Sequence, residues 1–91
     1  MSQPIFILKG TEAAAGTGSG TASNVSSARV VRCVNSGTTA RLVTLEESGG
    51  TDIGTLTVAG GESVLIHKDA TDKIFASNAE ILLTPVGIYQ G

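Results

Sequence analysis

From residue 28 onward, turn-forming clusters interrupt the chain about every 10–15 residues, and no apolar run between them keeps a helical period. Asn35-Ser36-Gly37, Ser48-Gly49-Gly50 and Gly60-Gly61 supply residues that tolerate positive φ or bond their own backbone. The runs between them are short and rich in Val, Ile, Leu and Thr, side chains that fit a pleated, half-buried surface. The spacing predicts strands over residues 28–35, 40–47, 53–58, 63–68, 73–76 and 80–89. Turn signals at that spacing, with no helical period between them, suggest that the strands are all antiparallel. The expected fold class is therefore all-β, a small antiparallel β-sandwich or barrel.

Strand alternation then selects a core. Val31, Cys33, Val43, Leu45, Leu56, Val58, Val64, Ile66, Ile74, Leu82 and Val86 are expected to face inward. Paired glycines at Gly60-Gly61 suit a tight hairpin between the third and fourth of these strands. Pro85 cannot donate to a ladder, so a sheet edge or bulge is expected there. The Asp69 to Asp72 stretch reads as a turn, with its aspartates in capping roles.

Upstream, Ile5-Phe6-Ile7-Leu8 is a wholly apolar run, and Pro4 before it marks a strand start. Residues 10–27 follow, and they are almost pure Gly, Ala, Ser and Thr. Residues 12–15 have the composition for one helical turn, which Gly16 and Gly18 would end. Such a segment has little to bury, so it reads as a flexible arm carrying a strand. The expected organisation is an N-terminal strand and arm over 1–27 and a β-sandwich body over 28–91. A coil of this length spans about 21–25 Å, and an extended one roughly 60 Å. Either reach brings the apolar run to its own body or to a neighbour, where a strand can add to a sheet edge.

Size makes the second destination attractive. A body of 64 residues (28–91) buries only about 60% of its unfolded surface and is marginal alone. Disulfides and metals, the usual supplements, are missing from the composition: Cys33 is the only cysteine and His67 the only histidine. Oligomerisation remains.

Charge and aromatic content narrow the partners. Net charge is −2, the six basic residues are scattered, and only Phe6, Phe75 and Tyr89 are aromatic. Nucleic-acid binding needs a basic patch with stacking rings, so it is not expected. No apolar run approaches the length of a membrane span. The first four residues lack a basic leader region, and the unpaired Cys33 suits a reducing cytoplasm.

No residue pattern carries chemistry. His67 has no orienting partner or nucleophile at a recognisable spacing, and it reads as a surface strand residue. Cys33 reads as a buried small hydrophobe. Asp69 and Asp72 are too sparse for a calcium loop. Gly16, Gly18 and Gly20 lack the Lys-Ser/Thr that a phosphate loop requires. No enzyme, cofactor or metal is expected.

Ser27 to Asn35, Gly60 to Lys68 and Ala70 to Ala76 together resemble small virion structural proteins of tailed bacteriophages, cyanophages in particular. Those proteins combine a Gly/Ser/Thr-rich N-terminal segment with a VVRxxN strand, a GGExxxxxK hairpin arm and a TDxIxAS segment. The last corresponds to Thr71-Asp72-Lys73-Ile74-Phe75-Ala76-Ser77 here. The resemblance implies a virion structural protein assembled in the host cytoplasm. A head-decoration (cement) protein that binds and stabilises the shell fits the size best. A neck, tail or fibre-associated protein is the alternative. The expected partners are further copies of the chain and the major capsid or another virion protein. Ile5, Phe6, Ile7 and Leu8 are the candidate docking strand, and Arg29, Arg32 and Arg41 the candidate polar contacts. From another class, a glycan-binding adhesion module would have only Phe75 and Tyr89 in the body to stack on sugar rings.

Overall fold

The computed structural model describes residues 5–89. Pro4, expected to mark the start of the first strand, lies outside them. The described residues form eight strands: β1 Ile5–Leu8, β2 Ala13–Ala14, β3 Val30–Asn35, β4 Arg41–Glu46, β5 Asp52–Val58, β6 Ser63–His67, β7 Lys73–Ala76 and β8 Ile81–Tyr89. A single 3₁₀ turn lies at Ser19–Thr21, and the helical turn expected over 12–15 is replaced by β2. All pairings are antiparallel. One sheet runs β1-β8-β3-β6, with β2 beside β1 on the same flank of β8; the other runs β5-β4-β7. The all-β antiparallel sandwich is thus the fold.

Ser23 adds a bridge to Ile74 on the far side of β7. The facing orders β1-β8-β3-β6 and β7-β4-β5 follow those of a jelly roll, with the single Ser23 bridge beside β7 where that fold has a further edge strand. Successive strands therefore tend to change sheets. Only β4 and β5 are neighbours joined by a hairpin, closed by the Glu47 N–H to Thr51 C=O bond at 2.8 Å, with Gly50 at φ 98.

The tight hairpin expected at Gly60-Gly61 is a turn of another kind. Gly61 has φ 79 and Glu62 N–H donates to Ala59 C=O at 2.9 Å, but the strands it links lie in different sheets. Local turn chemistry is the same in both cases. What differs is the partner of the next strand, which a two-residue motif does not encode.

Inward-facing Val31, Cys33, Val43, Val58, Ile74, Ala76, Ile81 and Leu83 form one buried cluster between the sheets. Leu45, Val64 and Ile66 pack half-buried against it. The expected core is corrected at three positions. Register sets Cys33 opposite Leu83 and Asn35 opposite Ile81, so Leu82 faces away and its two neighbours fill the core. Val86 is buried, but on the outward side, between Leu8 and Val30 in the ladder. Leu56 points toward the core side yet stays 40% exposed, because nothing closes that flank.

Pro85 sits within β8, a strand paired on both sides, rather than in an edge strand. The local environment accommodates it. Its carbonyl accepts from Lys9 N–H at 2.9 Å, so its backbone polar side faces the gap between β1 and β2, not β3. The missing donor falls where the second ladder is interrupted, and the β3 ladder loses nothing.

Residues 10–27 were expected as a loose tether; they form a strap instead. Ala15 N–H donates to Ile81 C=O at 2.8 Å, Ala76 N–H donates to Gly16 C=O at 2.9 Å, and Ser23 and Ile74 exchange both backbone bonds at 3.0 and 2.8 Å. The strap therefore stitches β8 of one sheet to β7 of the other. Ala15 and Val25 enter the core cluster. Ser19 Oγ donates to the carboxylate of Glu46, a buried residue, with its two oxygens at 3.2 and 3.0 Å. Small residues suit this role: a Cβ added at Gly16 would lie 2.2 Å from the Thr21 carbonyl oxygen. A left-handed turn at Val25, Ser26 and Ser27 (φ 53, 57 and 58) then redirects the chain into β3. Sequence composition divided the chain at residue 28, whereas the described residues pack as one unit.

Candidate functional site

The two flanks of the sandwich differ. On the strap side, backbone bonds seal the seam between the sheets. On the other side β5 and β6 are the bare edges of their sheets. Apart from Val58, every residue of β5 is exposed, including Ile53 at 52% and Leu56 at 40%. Between the two edges lies an apolar cleft of about 180 Å³, lined by Val43, Leu45, Gly54, Leu56 and Ile66, with Thr55 at its rim.

An edge strand offers unpaired backbone donors and acceptors to any other strand. Proteins that stay solitary blunt such edges with lysine, proline, a bulge or a covering loop. β5 has a register shift opposite Leu45 and Glu46, but over residues 53–58 it carries neither charge nor proline. Asp52, at its start, is its only ionisable residue.

The sequence-selected interface residues do not gather in one place. β1 lies antiparallel on β8 of its own chain, Ile5 opposite Tyr89 and Leu8 opposite Val86. Ile5, Ile7 and Leu8 are exposed there, Leu8 at 73%. Phe6 is aligned with Ile88. Arg29 is exposed just before β3, and its carbonyl accepts from Lys68 N–H at 2.8 Å. Arg32 is half-buried on β3, opposite Leu65 and Thr84. Arg41 opens β4, beyond the opposite end of β3, and its Nη2 and Nε donate to Glu80 Oε1 at 2.7 and 3.0 Å. Arg29 and Arg41 thus occupy opposite ends of the sandwich.

Residues of chemically capable types hold structural positions. Cys33 is fully buried, and burial pushes its thiol up to about 11, far from the thiolate a nucleophile needs. His67 is exposed on β6, aligned with Val30. Asp72 Oδ2 accepts from Asp69 N–H at 3.1 Å, which closes the turn. Lys68 is buried beside that turn, with its ammonium on the carbonyls of Asp69 and Ala70 at 3.2 and 3.5 Å. Burial pulls the Lys68 pKa below its ordinary value, and the charges of Asp72 and Asp69 partly oppose this. Among the described residues, no three His, Cys, Asp or Glu side chains cluster as metal ligands. Phe75 is half-buried on β7.

Sequence reasoning missed two features. One is the bare β5 edge, hidden because alternation in Ile53 to Val58 looks the same for central and edge strands. The other is Asn35, whose signal was an Asn-Ser-Gly turn. Asn35 is fully buried. Its Nδ2 donates to the carbonyls of Thr39 at 2.7 Å and Val58 at 3.0 Å, while its Oδ1 accepts from Gly37 N–H at 2.9 Å. Its backbone is bonded to Gly61 and Glu62 at 3.0 and 2.9 Å. One residue therefore ties the β3–β4 crossover to the β5–β6 crossover at one end of the sandwich.

Comparison with protein-family models, curated proteins and solved structures finds no match to this chain.

Proposed function

We infer that this chain is a non-enzymatic structural protein of a virus particle, first of all a capsid decoration (cement) protein that binds the head shell and stabilises it through sheet-edge contacts. The exposed β5 edge with its apolar cleft carries this reading, since it is built to continue a sheet with another chain. Two further observations support it. The sequence resembles small virion proteins of tailed bacteriophages, and jelly rolls recur in viral capsid domains, an analogy at the level of fold only. Contacts of this size are weak one at a time, and a shell multiplies them by presenting many equivalent sites. Neck, tail or fibre association is the alternative within the same class.

The test is mass spectrometry of purified particles separated into heads and tails. The decoration reading expects the chain in heads, in copy numbers comparable to the shell protein. Recovery in tails alone transfers the role to the alternative. Absence from both fractions, with the chain abundant in the infected cell, overturns the reading.

A further inference from the structure

We propose that the first partner of the β5 edge is a second copy of this chain, joined antiparallel about a two-fold axis through Thr55. This rests on the reading of the chain as an assembly protein and names which surface assembles, and with what.

Register supplies the first argument. An antiparallel pair centred on Thr55 sets Thr55 against its own copy and Gly54 against Leu56 of the other chain, twice by symmetry. Gly54 and Leu56 share one face of β5, the face that looks into the cleft. A Cβ built on Gly54 meets nothing within 4 Å, so the space beside it is open. Directly opposed side chains on one face sit about 5 Å apart at Cβ. Leu56 of each copy would therefore lie over Gly54 of the other and enter the cleft bounded by Leu45 and Ile66. Hole and knob lie two residues apart on the same strand, as a self-complementary edge requires.

Charge selects the direction. Asp52 is the only ionisable residue on the strand. Parallel, in-register pairing would place the two copies of Asp52 side by side, which destabilises. The antiparallel arrangement sets each near Val58 of the other copy, past the register shift at Ile53, and holds the pair about 20 Å apart, beyond effective range in salt.

Area sets the strength. Seven residues of strand measure about 23 Å, and the shortest dimension of the molecule is 22 Å. A face of that size covers roughly 500 Å² on each copy, or about 1,000 Å² in total, at the lower limit for a specific interface. It is also about a tenth of the 5205 Å² surface of the chain. An interface this small makes a weak, reversible dimer, which becomes persistent when a shell holds copies close together.

Sedimentation velocity of the full chain from about 1 μM to 1 mM is the first measurement, and a reversible monomer–dimer shift within that range is expected. The second fixes register. Thr55→Cys places two exposed thiols opposite each other across the axis, within disulfide reach, while Thr57→Cys aligns its thiol with Ile53. Mild oxidation should trap at least ten-fold more dimer for Thr55→Cys, and buried Cys33 contributes none. Leu56→Lys, at an exposed position, should abolish the shift while leaving the melting temperature within a few degrees. A chain that stays monomeric at 1 mM overturns the proposal. So does a dimer that Leu56→Lys leaves intact, or one trapped equally well from both cysteine positions. All of these are read on the isolated chain, so a failed dimer leaves particle association standing, and absence from particles leaves the dimer standing.

Discussion

A chain beginning at Ser23 is expected to melt at least 15 °C below the full-length protein, or not to fold. The truncation removes β1, β2 and the strap through Ala22. It breaks the Lys9–Pro85, Ala15–Ile81 and Gly16–Ala76 backbone bonds and takes Ala15 out of the core. Each bond contributes about 1 kcal/mol net, and uncovering β8 and the core beside Ala15 adds about as much again as one of them. These terms alone come to roughly 4 kcal/mol, before the β1 and β2 ladders on β8 and the Ser19 hydroxyl on buried Glu46 are counted, and they lower the melting temperature of a domain this size by at least about 16 °C. Circular dichroism melts of the two chains decide the matter. A truncated chain that melts within 3 °C of the full-length protein would restore the loose tether that composition suggests.

Asn35→Ala is the second large effect, expected at about 3 kcal/mol, or roughly 12–24 °C. The substitution removes all three side-chain bonds and leaves the buried Val58 carbonyl without its Asn35 donor. Each buried polar group deprived of its partner costs about 1–3 kcal/mol. Asn35→Asp separates hydrogen bonding from shape. It keeps the acceptor for Gly37 but sets a carboxylate against two carbonyl oxygens, so its own pKa should rise on folding. Such a group destabilises the fold at neutral pH and is relieved as pH falls below its folded value. Urea unfolding at pH 7 and pH 4.5 should therefore show Asn35→Asp at least as damaged as Asn35→Ala at neutral pH, with partial recovery in acid. Equal stability of all three proteins would remove Asn35 from its role as the tie between the crossovers.

These two effects mark where the chain was legible and where it was not. Strand positions were readable because β-branched runs and turn clusters alternate at short spacing. β7 lies at residues 73–76 as expected, and β3 to β6 and β8 differ by only a residue or two at their ends. Which strand pairs with which was not readable. Gly60-Gly61 makes the same local turn in a hairpin and in a sheet-to-sheet crossover. The strap was misjudged because Gly, Ala, Ser and Thr bury little surface, and composition weighs only burial. Here backbone hydrogen bonds and close approach hold it, and small side chains are what permit both. Leu82 was expected inward because one residue of register exchanges the two faces of a strand. The apolar character of Ile81, Leu82 and Leu83 gives no basis for choosing between them.

The candidate site followed the same pattern. Ile5 to Leu8 stood out as an apolar run detached from the rest, and its place on β8 pairs its backbone while leaving Ile5, Ile7 and Leu8 exposed. β5 drew no notice because its defining property is a missing neighbour. Edge position belongs to the topology of the whole chain, and Asp52 to Val58 acquires it only when β6 crosses to the other sheet.

Amide hydrogen exchange of β5, compared between the free chain and the chain assembled in its particle, tests the account at its centre. If the protein works by continuing a sheet across this edge, the β5 amides that point away from β4 exchange quickly in the dilute chain and become protected at least ten-fold on assembly, more than those of any other strand. Exchange of β5 that is equally fast in both states, with new protection on β1 instead, would contradict it.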